Sequence, residues 1–81
     1  MMPPLVKFKR LDVRPIIRGG EDPCSHIFSR VDRLKPDEGI IIVAPFLPSP
    51  LVERLGSLGF ASKITRGNGA DWLVYFWREV G

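Results

Sequence analysis

Between Leu11 and Cys24 the chain gathers the residues best suited to chemistry: Arg14, Arg18, Gly19, Gly20, Asp22 and its single cysteine, Cys24. Two arginines beside the open N–H groups of a helix start would hold an anion. Adjacent glycines would let a ligand approach the backbone. An anion site at these six residues is therefore expected, with Glu21 and Asp22 as competing negative charge and an Arg14–Asp22 pair as the alternative. A thiol in a first helical turn near arginine would have its thiolate favoured. Against that, Cys24 lies three and four residues before Ile27 and Phe28, where a free cysteine packs as a small hydrophobe. Core packing is the favoured expectation. His26 is two residues on, about 200° round the helix, and is poorly placed to act as a base for Cys24. With one histidine, one cysteine and no evident carboxylate pair, neither a metal centre nor acid–base catalysis has residues to rest on. A non-enzymatic domain without a cofactor is expected.

The elements that must position these residues follow from periodicity. Residues 1–6 read as a flexible tail, and 7–81 as one domain. Phe8 to Val13 alternates, with Leu11 and Val13 on one face and Phe8, Arg10 and Asp12 on the other, as in a strand with one side against a core. Gly19-Gly20 breaks it into a loop. Asp22 as N-cap and Pro23 at the first helical position open a helix. Its stripe is Cys24, Ile27, Phe28, Val31 and Leu34, and it ends before Pro36. Ile40 to Val43 is an unbroken β-branched run, typical of an interior strand. Ser49-Pro50 repeats the cap-then-proline device and opens a second helix with the stripe Leu51, Val52, Leu55 and Leu58, stopped by Gly59. Phe60 to Thr65 and Asp71 to Arg78 are two strands joined through Arg66-Gly67-Asn68-Gly69, where Asn-Gly favours a tight turn. The order β-α-β-α-β-β gives a two-layer α/β (α+β) sandwich: a four-stranded mixed sheet with both helices on one face.

Charge and composition bound the function class. The 81 residues carry a net charge of +3, with 44% hydrophobic and 26% charged residues, an ordinary globular balance. A chain this short buries about 60% of its unfolded surface, so it supports one thin core. Segment 7–18 alone has a net charge of +4, from Lys7, Lys9, Arg10, Arg14 and Arg18 against Asp12. Such a strand could meet an anionic partner, although cations on an edge strand also discourage aggregation. A lone cysteine excludes an internal disulfide, and no apolar run approaches the length of a membrane span. A cytoplasmic location and no membrane partner are expected.

A resemblance adds to this reading. It is carried by Leu11-Asp12-Val13-Arg14, Asp22-Pro23, Ala44-Pro45-Phe46 with Pro48-Ser49-Pro50-Leu51, Gly59-Phe60, and Trp72, Val74 and Phe76. In their order and spacing these resemble the SirA/TusA-like superfamily, and within it the uncharacterised branch catalogued as a domain of unknown function, over about residues 9–79. The resemblance implies the same β-α-β-α-β-β sandwich, also seen in the C-terminal domain of translation initiation factor three, with the last strand central and antiparallel to the others. Better-known members carry sulfur as a persulfide on the cysteine of a Cys-Pro-x-Pro motif at the first helix start. Here Pro23 aligns with the motif's last proline, so its cysteine position falls on Gly20 and its first proline on Glu21, while Cys24 lies one residue beyond. A relocated persulfide carrier on Cys24 is the alternative function this leaves.

The last strand completes the expectations. Trp72, Val74 and Phe76 share one face, and Leu73, Tyr75 and Trp77 the other. By the family pattern the first row packs inward, leaving Leu73, Tyr75 and Trp77 outward beside Phe8. An exposed aromatic patch marks a partner surface. The leading expectation is a protein-interaction or ligand-binding domain using Phe8, Leu73, Tyr75 and Trp77 for a protein partner or a homodimer, with the anion site secondary. Nucleic-acid binding through the basic first strand is a further alternative and is disfavoured, because the aromatic row lacks interleaved cations.

Overall fold

The computed structural model describes residues 2–67 and 69–78. After a short 3-10 turn at Leu5–Lys7 come β1 (Phe8–Asp12), α1 (Arg14–Arg18), α2 (Pro23–Asp32), β2 (Gly39–Ala44), α3 (Ser49–Ser57), β3 (Phe60–Arg66) and β4 (Trp72–Arg78). The strands form one sheet in the order β1-β2-β4-β3. β1 and β2 are parallel, and β4 lies antiparallel between β2 and β3. The expected sandwich and its central last strand are both present.

Register assigns every strand residue to a face. Leu11 sits beside Ile42, and Ile42 beside Val74; Ile40 sits beside Phe76. With Ala44 and Phe60 these side chains meet Ile27, Val31 and Leu34 of the α2 region and Leu51 and Leu55 of α3 in one buried cluster. The long helices therefore cover one side of the sheet, which we call the inner face. Among the described residues no helix lies over the other side. Arg78 closes the far end of the inner face, donating from Nη1 to the Leu34 carbonyl at 3.0 Å and lying over the Phe60 ring.

Three local expectations need correction. The first strand stops at Asp12, and the expected loop is a five-residue helix, α1. Asp12 Oδ1 accepts the Arg14 backbone N–H at 3.0 Å, and the Val13 carbonyl accepts from the Ile17 N–H, which bends the chain into a turn. Ile16 and Ile17 then pack on the core. Five residues are too few for a helical period to stand out, and Pro15 reads as a breaker although it occupies the first turn, where no donor is needed.

Second, Ser49 is the first helical residue of α3 and not its cap; Pro48 takes the cap position, with its carbonyl accepting from Val52 N–H. Third, Leu58 is 62% exposed. It follows the last helical residue, so it leaves the stripe before Gly59 turns the chain with φ +94°. Asn68, the expected turn residue, lies outside the described residues. Of the residues flanking it, Gly67 donates its N–H to the Asp71 carbonyl.

Candidate functional site

Three rows of side chains cross the helix-free face. The first runs Phe8, Gly39, Trp77, Ala61; the second Arg10, Ile41, Tyr75, Lys63; the third Asp12, Val43, Leu73, Thr65. Phe8, Leu73, Tyr75 and Trp77 thus share one surface, as the alternation of β4 requires. Gly39 is what knits the first row together. A Cβ built there would fall 2.4 Å from the Phe8 ring and 2.8 Å from the Phe76 carbonyl oxygen. With no side chain at Gly39, Phe8 leans across β2 and meets Tyr75 and Trp77 edge-on, at centroid distances of 5.6 and 6.3 Å. Trp77 is only 7% exposed. Phe8, Ile41, Leu73 and Tyr75 remain half-buried and form the accessible apolar band. Arg10 and Lys63, both exposed, bracket it within the middle row.

The corner where β1 and β2 end is held by Arg14. Its Nε and Nη2 donate to the two carboxylate oxygens of Asp12, at 2.9 and 2.6 Å. Its Nη1 donates to Asp71 Oδ2, tying the β1–α1 corner to the start of β4. This replaces the expected Arg14–Asp22 pair. The Arg14 hydrogen bonds hold the Asp12 carboxyl at about 2, well below its ordinary 3.8. The same pairing raises the Arg14 guanidinium further above its already high value.

Between this corner and the β3–β4 turn lies a cavity of about 430 Å³ walled by Arg10, Arg14, Arg66, Asp71, Val43 and Leu73. Arg66 also lies over the Trp72 ring at 4.5 Å. Arg10, Arg66 and Asp71 did not stand out in the sequence. Arg10 carried a signal as part of the basic first strand. Asp71 carried none, since it meets Arg14 across 57 residues of chain.

The remaining residues of the expected anion site are engaged in ending one helix and starting the next. Gly20, at φ +80°, follows the last turn of α1; its N–H donates to Ile17 and that of Glu21 to Ile16, at 3.0 and 3.1 Å. This pair of bonds is a Schellman stop, which glycine satisfies without steric cost. Gly19 is the C-cap of α1, and Arg18 is exposed in its last turn, away from any helix N-terminus. Asp22 caps α2, its Oδ1 accepting from Cys24 N–H at 2.9 Å. An anion is thus already present at the α2 start, and it belongs to the chain.

Cys24 is half-buried, and burial raises its thiol pKa, with the Asp22 carboxylate adding to the rise and Arg54 opposing it. This environment favours the neutral thiol over a nucleophilic thiolate. His26 Nε2 lies 3.7 Å from Glu21 on the exposed side of α2. Among the described residues no three histidine, cysteine or acidic side chains cluster as metal ligands would, and no helix is long and apolar enough to cross a membrane.

A family model described as Uncharacterized conserved protein (DUF2249) covers residues 10–78 of this chain. No curated protein and no solved structure matches it.

Proposed function

We propose, from the premise that this chain belongs to the DUF2249 family of uncharacterized conserved proteins, that it is a non-enzymatic cytoplasmic binding domain that receives an acidic protein partner on the helix-free face of its sheet. The observation that carries this reading is the middle row: a half-buried apolar centre, Ile41 and Tyr75, with a cation at each end, Arg10 and Lys63. An apolar centre within a polar rim is the usual anatomy of a recognition surface, with tyrosine among the residues enriched there.

The same row argues against self-pairing. A two-fold axis in the plane of this face through the row's centre would set cation against cation, Arg10 and Lys63 each meeting its own copy or the other's, and like charges across an interface cost affinity. An acidic partner meets both cations favourably. What supports kinship with the SirA/TusA-like superfamily is the sheet order β1-β2-β4-β3 with β4 antiparallel. The persulfide alternative has less support, because the Cys24 environment raises its thiol pKa.

Sedimentation of the intact protein tests the choice of partner. A monomer at all concentrations is expected. A reversible dimer abolished by Tyr75→Glu would overturn the acidic-partner reading in favour of self-association.

A further inference from the structure

The arginine-walled cavity at the corner of the helix-free face has a chemistry of its own. Its volume of about 430 Å³ falls within the range of small-molecule sites, about 300–1,000 Å³. Three guanidinium side chains and one carboxylate contribute to its walls, with Val43 and Leu73 as the apolar part. The local charges are not equivalent. Both oxygens of Asp12 and one of Asp71 accept from Arg14, so these carboxylates face a cation already bound to them. Arg10 has no side-chain hydrogen bond or ion pair among the described residues. Arg66 has only the Trp72 ring. Counting Asp12 with the cavity, three positive charges stand against two negative ones, and the exposed Arg10, whose charge acts on Asp12 only from a distance, is the cation whose hydrogen-bond donors are uncommitted among the described residues.

We propose that this cavity binds the oxyanion of a small organic molecule, a phosphate monoester or a carboxylate, whose apolar body lies against Leu73. The proposal rests on the reading of the helix-free face as a binding surface and names a ligand class for one corner of it. Arg10 supplies the planar fork of donors that recognises either oxyanion. Arg14 is a positioning residue: pinned by Asp12 and Asp71, it fixes the corner and leaves Arg10 facing the space. Leu73, half-buried in the third row, supplies the apolar contact that inorganic phosphate cannot use.

Calorimetric titration of the intact protein at low salt with phenyl phosphate, benzoate and inorganic phosphate tests this. Saturable one-to-one binding is expected for phenyl phosphate or benzoate, tighter than for inorganic phosphate. The stronger of the two identifies the natural head group. Arg10→Ala should weaken binding about tenfold, the loss of one charge-assisted hydrogen-bonded contact. Lys9→Ala, altering a side chain on the opposite face of β1, should leave it unchanged. Leu73→Ser should weaken phenyl phosphate binding but not that of inorganic phosphate.

The Arg10→Gln variant guards against a fold defect, since it keeps the aliphatic stem to Cδ and a polar end while removing the charge. No binding of either organic anion, or equal binding by wild type and both Arg10 variants, overturns the proposal. Neither result touches the acidic-partner reading, which is tested separately through Tyr75.

Discussion

Ile41 and Ile42 are neighbours in one strand and report the two sides of the sheet. Ile42 is completely buried, enclosed by Leu11 and Val74 beside it and by the helices above. Ile41 is half-buried, with Arg10 and Tyr75 as its strand neighbours and no helix over it. The inner face buries its apolar groups with separate elements. The outer face shields what it can with its own side chains, as Phe8 shields Trp77. Burial in this domain is therefore concentrated on the inner side, and the accessible apolar band lies on the other.

The largest expected effect breaks the inner side. Ile42→Ala should cost about 2–5 kcal/mol, the usual range for emptying a buried aliphatic site. Ile41→Ala should cost about 1 kcal/mol or less, since surface-facing truncations lose little. Urea denaturation of both variants checks the contrast, and equal losses would refute it. Next in size is Gly39→Ala, which sharpens the account of the outer face. The added methyl collides with the Phe8 ring and the Phe76 carbonyl, so a loss of about 1–3 kcal/mol is expected, as for other overpacked sites. Tryptophan emission should shift to the red as Phe8 is displaced from Trp77; an unshifted spectrum would mean that Phe8 does not shield it.

The smallest effect concerns the corner. The Asp12 carboxyl, held at about 2 by Arg14, titrates below its unfolded value of about 3.9. Its pairing therefore contributes stability above that unfolded value, and the contribution disappears as pH falls through about 2. Because Asp12 is partly exposed, solvent screening keeps the contribution small. Asp12→Asn should flatten the decline in stability between pH 4 and pH 2, as read from thermal unfolding. An unchanged slope would show that the pair contributes nothing.

The inner face was legible in the sequence because its signals are local and periodic. Ile27 and Val31 recur at helical spacing, Ile40 to Val43 is continuously β-branched, and Trp72 to Trp77 is an unbroken apolar run. Asp22 and Gly59 announced their helix boundaries for the same reason. The outer face was legible in its membership, Phe8, Leu73, Tyr75 and Trp77, but not in its degree of cover. The shielding of Trp77 depends on Gly39, whose missing side chain signals nothing until Phe8 is seen to cross it.

The arginine corner was least legible. Arg14 attracted notice through its neighbours Gly19, Gly20 and Asp22, whereas its actual partners are Asp12, two residues back, and Asp71, on another strand. A polar contact across 57 residues follows from the fold and leaves no periodic trace. Nor could spacing show that Gly20 ends a five-residue helix, because so short a helix has no stripe to read.

On the proposed reading the helix-free face receives an acidic partner. The most direct test is amide and indole NMR of the intact protein during titration with a glutamate-rich peptide bearing one aromatic residue, against the same peptide with lysine for glutamate. Saturable shifts at Phe8, Ile41, Lys63, Tyr75 and the Trp77 indole with the acidic peptide alone are predicted. Shifts confined to α2 and α3, equal responses to the two peptides, or no response at all would contradict the account.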